Sequence, residues 1–240
     1  MNIINPYRFK VAPSVDIPLA NIISEYKFEN NVLDTVGTNN GTAYSLTYAD
    51  GLVNRTGVFN GSTSYVSVAD SNSLSFGNGT TDVPFSISLL FKTNDITKIQ
   101  YLVSKRLNTV IGEYLIPINA TTINLSLITN SYGGGYIRAI FNHSFSNNTW
   151  YHIIATYDGD KLNTGINLYV NGVNSVTTRD GTGYTGMVNT TSNVEVGSFA
   201  VGKTNFDGNL DCVRIWDKEL SQGEITEIAT QELAGIDINP

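Results

Sequence analysis

The chain has one cysteine, Cys212, in 240 residues, so no disulfide can close within it. Its two histidines, His143 and His152, are too few for a multi-histidine metal centre. Charge is scarce as well: 15% of residues are Asp, Glu, Lys or Arg, against roughly 25% in an average soluble protein. The 14 basic residues form no cluster and the net charge is −7, which argues against nucleic acid, since phosphate neutralisation needs grouped Lys and Arg. No apolar run approaches the roughly 18 residues that cross a bilayer as a helix, so membrane insertion is not expected. The first ten residues lack the basic start, apolar stretch and small-residue cleavage site of a signal peptide. The sequence leaves open a start not exported by that route or a leader already removed.

What replaces the missing charge is Asn, Thr, Ser, 22 Gly and 13 Tyr, with an apolar fraction of 41%. This composition suits short strands joined by polar turns. Alternation confirms the period. Phe85, Ile87, Leu89 and Phe91 share one face, with Ser86 and Ser88 on the other, as in a half-buried antiparallel strand. Tyr26 and Phe28 pair likewise within 24–29, and Tyr65 alternates with Val66 and Val68. Further strands are expected over 100–104, 113–118, 122–128, 135–141, 150–157, 165–170, 173–178, 194–200 and 209–216. Spacings of roughly eight to twelve residues, with Gly or Asn between, predict a sandwich or barrel. Val170-Asn171-Gly172-Val173 predicts a hairpin, because Asn-Gly favours the positive backbone angles of a type I′ turn.

One helix is expected near the end. Ser221 can cap it while Glu224 reaches back to the cap's own amide, and Ile225 and Ile228 face inward with Leu220 or Leu233. Residues 235–240 read as a tail. At the other end, Pro6, Pro13 and Pro18 interrupt an apolar segment without helix or strand period. Residues 1–20 are therefore expected as an extended arm, either strapped along the domain or docked on a partner through Pro6, Tyr7 and Phe9. Residues 21–234 form one domain.

Three stretches resemble the laminin-G-like, pentraxin-like branch of the concanavalin A-like lectin/glucanase superfamily. The first runs from Tyr26 and Phe28 through Asp34, Gly37, Asn39 and Gly41 to Phe59-Asn60-Gly61 and Tyr65-Val66. The second is Trp150-Tyr-His152 to Asp158-Gly159, followed by Tyr169-Val170-Asn171-Gly172. The third is Phe206-Asp-Gly208-Asn-Leu210-Asp211-Cys-Val213-Arg214-Ile215-Trp216, followed by Leu220-Ser221 and Glu224-Ile225. The resemblance covers about residues 24–230. It implies an all-β, two-sheet antiparallel jelly-roll sandwich with the short C-terminal helix.

It also implies a structural calcium ion between the opening loop and the closing strand, held by Asp34, Asn39 and Asp211 with Glu29 as a further donor. Calcium takes about six to eight oxygens, and these side chains offer them. Thr38 departs from the family, which often has Asn there. The alternative is that Asp34 closes its own turn through Asx hydrogen bonds. Glycan binding is the function most often associated with this fold. Aromatic faces for sugar C–H groups are offered by Tyr44, Tyr132, Tyr136 and Tyr184, each near a turn rich in Asn or Gly. Glycosidases of the superfamily carry carboxylates about 5 Å apart in retaining cases. No alternating acidic triplet occurs, and Asp158-Gly-Asp160 falls in a turn, so catalysis is not expected.

The reading is thus a non-catalytic recognition module for host-surface or mucus glycans on an extracellular particle, a phage virion above all. The opening Ile4-Asn5-Pro6-Tyr7-Arg8-Phe9 resembles the starts of phage structural proteins, which makes capsid or tail proteins the expected partners of the arm. Alternatives are a purely structural decoration protein and a secreted or cell-surface glycan-binding or adhesin domain. Self-association through sheet edges is a further possibility.

Overall fold

The computed structural model describes residues 15–107, 112–129, 134–199 and 204–239. Among them are two antiparallel sheets of eight strands each and one α-helix. The first sheet holds β1 (Ile22–Tyr26), β3 (Thr47–Asp50), β4 (Arg55–Asn60), β6 (Phe85–Thr93), β11 (Tyr151–Tyr157), β12 (Ile166–Val170), β13 (Val173–Asn174) and β16 (Asp207–Trp216). The second holds β2 (Gly41–Tyr44), β5 (Tyr65–Val68), β7 (Gln100–Arg106), β8 (Gly112–Ile118), β9 (Thr122–Ile128), β10 (Tyr136–Asn142), β14 (Thr178–Thr182) and β15 (Val194–Val196). The spatial orders are β13-β12-β11-β6-β16-β4-β3, with β1 also on β16, and β14-β10-β9-β8-β7-β15-β5-β2. This is the expected jelly-roll sandwich. None of the described helices is long and apolar enough to cross a membrane.

The core is the sum of the inward alternations. Phe85, Ile87, Leu89 and Phe91 of β6 face Tyr114, Ile116 and Ile118 of β8 and Ile123, Leu125 and Leu127 of β9 in one buried cluster. Each such side chain contributes roughly 1.5–3 kcal/mol by leaving water. The outward face of β6 is small and polar for a reason. Ser86 accepts the Leu220 amide and donates to the Lys218 carbonyl, and Ser88 accepts the Trp216 indole N–H at 3.1 Å. These bonds seat the segment that leads into α1 (Gln222–Leu233).

Helix α1 begins as expected: Ser221 and Glu224 form a reciprocal capping box, and Ile225 and Ile228 bury against Ile154, Tyr169 and Trp216. The Asn-Gly hairpin is also found, with Val170 paired to Val173 and positive φ at Asn171 and Gly172.

Several boundaries differ from expectation. The strand expected over 173–178 is two strands in different sheets. Ser175 N bonds to Leu168 of the first sheet and Thr177 N to Ile140 of the second, so the chain crosses between layers there. The strand expected over 194–200 stops at Val196, because Gly197 turns at φ +73. β2 and β3 are edge strands.

β16 is flanked by two strands end to end. β4 pairs with residues 207–210 and β1 with residues 213–216, and a bulge at Asp211–Arg214 separates them. Cys212 takes φ +48 in that bulge. Arg214, fully buried beyond it, meets Glu25, Glu232 and Asp237. The expected tail is therefore fastened: Asp237 also pairs with Lys27 at 2.9 Å, Asn239 Nδ2 donates to Glu25, and Ile238 is buried. Of the expected arm, residues 15–20 are described. Ile17 packs on the Trp216–Ile225 cluster beside α1, while Pro6, Tyr7 and Phe9 lie outside the described residues.

Candidate functional site

The expected calcium ligands separate into two places. Asp34 is the hub of the loop after β1. Its Oδ1 accepts the amides of Glu25, Val36 and Gly37 at 3.0–3.2 Å, and its Oδ2 accepts that of Asn39 at 3.0 Å. Asn39 donates its amide to Ser24 and Ser73 and accepts the Tyr26 hydroxyl on its carbonyl. Gly37 is required there, since a Cβ would stand 2.6 Å from Asp34 Oδ2. The loop is closed by N–H donors, which is the Asx alternative.

Asp211 sits in the β16 bulge. Its Oδ1 accepts the Cys212 amide, and its buried Oδ2 has no hydrogen-bond partner. Glu29 accepts the Arg55 amide. Among the described residues no three His, Cys, Asp or Glu side chains converge to hold a metal. The four residues therefore do not fit one calcium shell; what remains is Asp211 with Glu29, two carboxylates. Asp34→Ala is expected to cost ~2 kcal/mol, by stripping an acceptor from the buried Glu25 amide and from three part-buried loop amides. Chemical denaturation should give the same loss in calcium and in chelator. A chelator that erased the difference would return the ion to Asp34.

Burial pushes the Asp211 carboxyl up to about 8, and the nearby Glu232 and Glu29 charges add to it. A group raised on folding stabilises the fold below its unfolded value, near pH 4, and that stability drains away as pH climbs toward 8. Asp211→Asn should flatten the fall of stability between pH 5 and pH 8, a change on the order of a few kcal/mol across the window. Denaturation midpoints measured along this pH series check it; a slope equal to that of the parent chain refutes it.

The expected tyrosines do not converge either. Tyr44, 43% exposed on edge strand β2, stacks on Tyr65 with ring centres 4.4 Å apart. Tyr136 is on β10, six strands away, about 29 Å at a strand spacing near 4.8 Å. Tyr184 donates its hydroxyl to Asp82, which also accepts from the Tyr157 hydroxyl and the Met187 amide, so it is locked into the rim. Tyr132 lies outside the described residues.

An outward-facing concavity lies on the second sheet between these positions. It has a volume of about 370 Å³ and is lined by Tyr101, Arg106, Leu115, Pro117, Asn124, Ser126, Arg138 and Phe199. Strand alternation builds it. Tyr114, Ile116, Leu125, Leu127, Ile137 and Ala139 point into the core, which turns Leu115 and Pro117 of β8, Asn124 and Ser126 of β9, and Tyr136 and Arg138 of β10 outward. Tyr101 of β7 stacks on Phe199 with centroids 4.5 Å apart at 21°, and the Arg106 guanidinium lies 5.1 Å from the Phe199 ring centre. On the opposite flank Arg138 is gripped by both oxygens of Asp180 on β14, at 2.5 and 2.6 Å, and lies 5.3 Å from the Tyr136 ring centre. The floor carries the Ser126–Asn124 hydrogen bond at 2.7 Å.

The groove thus sets an aromatic wall against an oriented ion pair across an amide and a hydroxyl. Among the described residues, the carboxylate at its wall is that of Asp180, held by Arg138. Asp158 and Asp160 sit in the turn after β11, where Asp160 is raised by burial and by Asp158; neither lines the groove. Of the expected residues that are described, Tyr136 alone adjoins the groove. Asn124, Ser126 and Arg138 were signalled by polar residues at alternate positions of strands whose other positions are apolar. Phe199, distant in sequence, carried no such signal.

A family model described as the concanavalin A-like lectin/glucanases superfamily, of laminin G type, matches residues 60–226. None of the curated proteins matches the sequence. Among solved structures, domain 4 of a GH43 extracellular arabinanase from Geobacillus stearothermophilus, in complex with arabinotriose, is similar at TM-score 0.65 and 19% identity. The match covers 87% of this chain and 98% of that domain. The binding domain of Paraclostridial Mosquitocidal Protein 1 matches at TM-score 0.67 and 18% identity, over 88% of this chain and 52% of its own. The botulinum neurotoxin serotype G binding domain matches at TM-score 0.65 and 17% identity, over 88% and 51%. This chain spans about half the length of the two toxin domains.

Proposed function

This chain belongs to the laminin G type of the concanavalin A-like lectin/glucanases superfamily, and on that footing we propose that it is a non-catalytic recognition module whose second-sheet groove binds an oligosaccharide. One observation carries the reading: the Tyr101–Phe199 stack faces the Arg138–Asp180 pair across Asn124 and Ser126. A sugar ring offers C–H groups from its faces and hydroxyls from its edge. The aromatic wall takes the first, and the amide, hydroxyl and charged pair take the second, as in pockets where apolar walls carry a few placed polar groups. The arabinotriose complex of one structural neighbour and the toxin binding domains among the others support the same direction.

A panel of immobilised plant, bacterial and mucin glycans, including arabino-oligosaccharides, tests this on the intact chain. Binding that is competed by soluble oligosaccharide is expected. Silence across the panel favours the purely structural role. The particle setting is the second part of the proposal: a virion, with the arm of Pro6, Tyr7 and Phe9 docking on capsid or tail proteins. It rests on the opening sequence motif. Deleting residues 1–14 should leave the sandwich folded and abolish incorporation into particles; normal incorporation rejects the arm's role.

A further inference from the structure

The second sheet buries a lysine that the groove does not use. Lys105 of β7 and Glu113 of β8 are fully buried. Asp70, two residues past β5, keeps 27% of its side chain exposed. Lys105 Nζ lies 2.5 Å from Asp70 Oδ1, 2.7 Å from the Ser192 carbonyl oxygen and 3.3 Å from Glu113 Oε1. With a C–O bond near 1.2 Å, Asp70 Cγ is within about 3.7 Å of the nitrogen, close to the 3–3.5 Å of a near-attack arrangement. Glu113 Oε1 is fixed by the Thr190 amide and hydroxyl at 2.9 and 2.8 Å and by Ser75 at 3.3 Å. Its Oε2 is buried and has no hydrogen-bond partner in the structure. A buried amine, a partly exposed acyl carbon and a second, buried carboxyl group are held together.

We propose that Lys105 and Asp70 join in an intramolecular isopeptide bond, with Glu113 as the proton-transfer group. The ammonium first passes one proton along the 2.5 Å contact to the Asp70 carboxylate, giving amine and carboxylic acid. The nitrogen lone pair then attacks Cγ while the carbonyl π pair moves to oxygen. Glu113 takes a second proton from the attacking nitrogen and returns it to the departing hydroxyl. That group leaves as water as the C=O bond re-forms. One proton stays on the new amide nitrogen, the net charge of the pair is zero before and after, and Glu113 is regenerated. No oxidant, metal or cofactor enters. Burial holds the Glu113 carboxyl above its usual range despite the nearby Lys105 charge, which suits it to carrying a proton. The partly exposed Asp70 gives the water an exit. The product would tie the end of β5 to β7 across the intervening β15, in a chain where Cys212 has no cysteine partner.

The intact mass of the full chain, measured after denaturation, decides. The folded wild type should weigh one water less than its sequence, and proteolysis should release a branched peptide joining Asp70 to Lys105. Asp70→Ala and Lys105→Arg should keep the full sequence mass. Glu113→Gln should form the bond about 100-fold more slowly, the usual scale of a positioned proton carrier. A wild-type mass equal to the sequence after days in the folded state overturns the proposal, whether or not the variants fold. A water loss that persists in Asp70→Ala also overturns it, and an undiminished rate in Glu113→Gln removes Glu113 from the step.

Discussion

Phe199→Ala should weaken oligosaccharide binding about 30-fold, or roughly 2 kcal/mol, the scale of a central aromatic anchor. Its ring carries both the Tyr101 stack and the Arg106 contact, so truncation removes one wall of the groove. Tyr101→Ala should act similarly. Arg138→Ala should cost about tenfold, by removing a donor and releasing Asp180 from its two-point contact. Tyr184→Phe is the control: its hydroxyl serves Asp82 in the rim, so it should lower stability and leave affinity unchanged. Titration calorimetry on variants with parental circular dichroism reads these effects. Unaltered affinity in Phe199→Ala would move the site elsewhere, with exposed Tyr44 stacked on Tyr65 as the next candidate.

Arg214→Met is expected to be the most destabilising single change, at about 3–5 kcal/mol, because it strands buried carboxylates. Arg214 faces Glu25, Glu232 and Asp237, and Glu232 also lies 2.9 Å from His152 Nε2. Burial alone would raise Glu232, but Arg214 and His152 outweigh it and hold the carboxyl below its usual value. Asp237, partly buried, is likewise held down by Lys27 and Arg214. Groups lowered on folding lend stability above their unfolded values and surrender it as pH falls through the folded ones. Arg214→Met should therefore reduce the dependence of stability on pH below about 4.5 as well as its level. A parental melting temperature in Arg214→Met would show the cluster to be energetically idle.

The central strands, the capped helix and the Asn-Gly hairpin were legible because each has a local cause: alternation, a reciprocal cap, or a turn that only certain residues tolerate. β2 and β3 were not legible. Their residues are exposed or half-buried at sheet edges, so Gly41-Thr-Ala-Tyr44 and Thr47-Tyr-Ala-Asp50 carry no apolar alternation. The opening loop was ambiguous for a different reason. An aspartate with neighbouring amides in a turn reads equally as a cation ligand or as an acceptor of its own backbone. The directions of the N–H groups around Asp34 decide between them, and those are set by the whole loop. Of the groove, only the adjoining Tyr136 was singled out from the sequence. Asn124, Ser126 and Arg138 stand at alternate positions of recognisable strands, whereas the Tyr101–Phe199 stack brings together residues nearly a hundred positions apart.

Ile17 and Asp237 both lie on the outer side of the first sheet, against the α1 layer, while the groove opens on the outer side of the second. Two sheets stacked about 10 Å apart stand between them. A carrier tethered near either position would therefore present every copy of the groove toward the opposite half-space. Many such copies on one carrier could engage a repetitive polysaccharide at once, so that weak individual grips would sum to firm avidity.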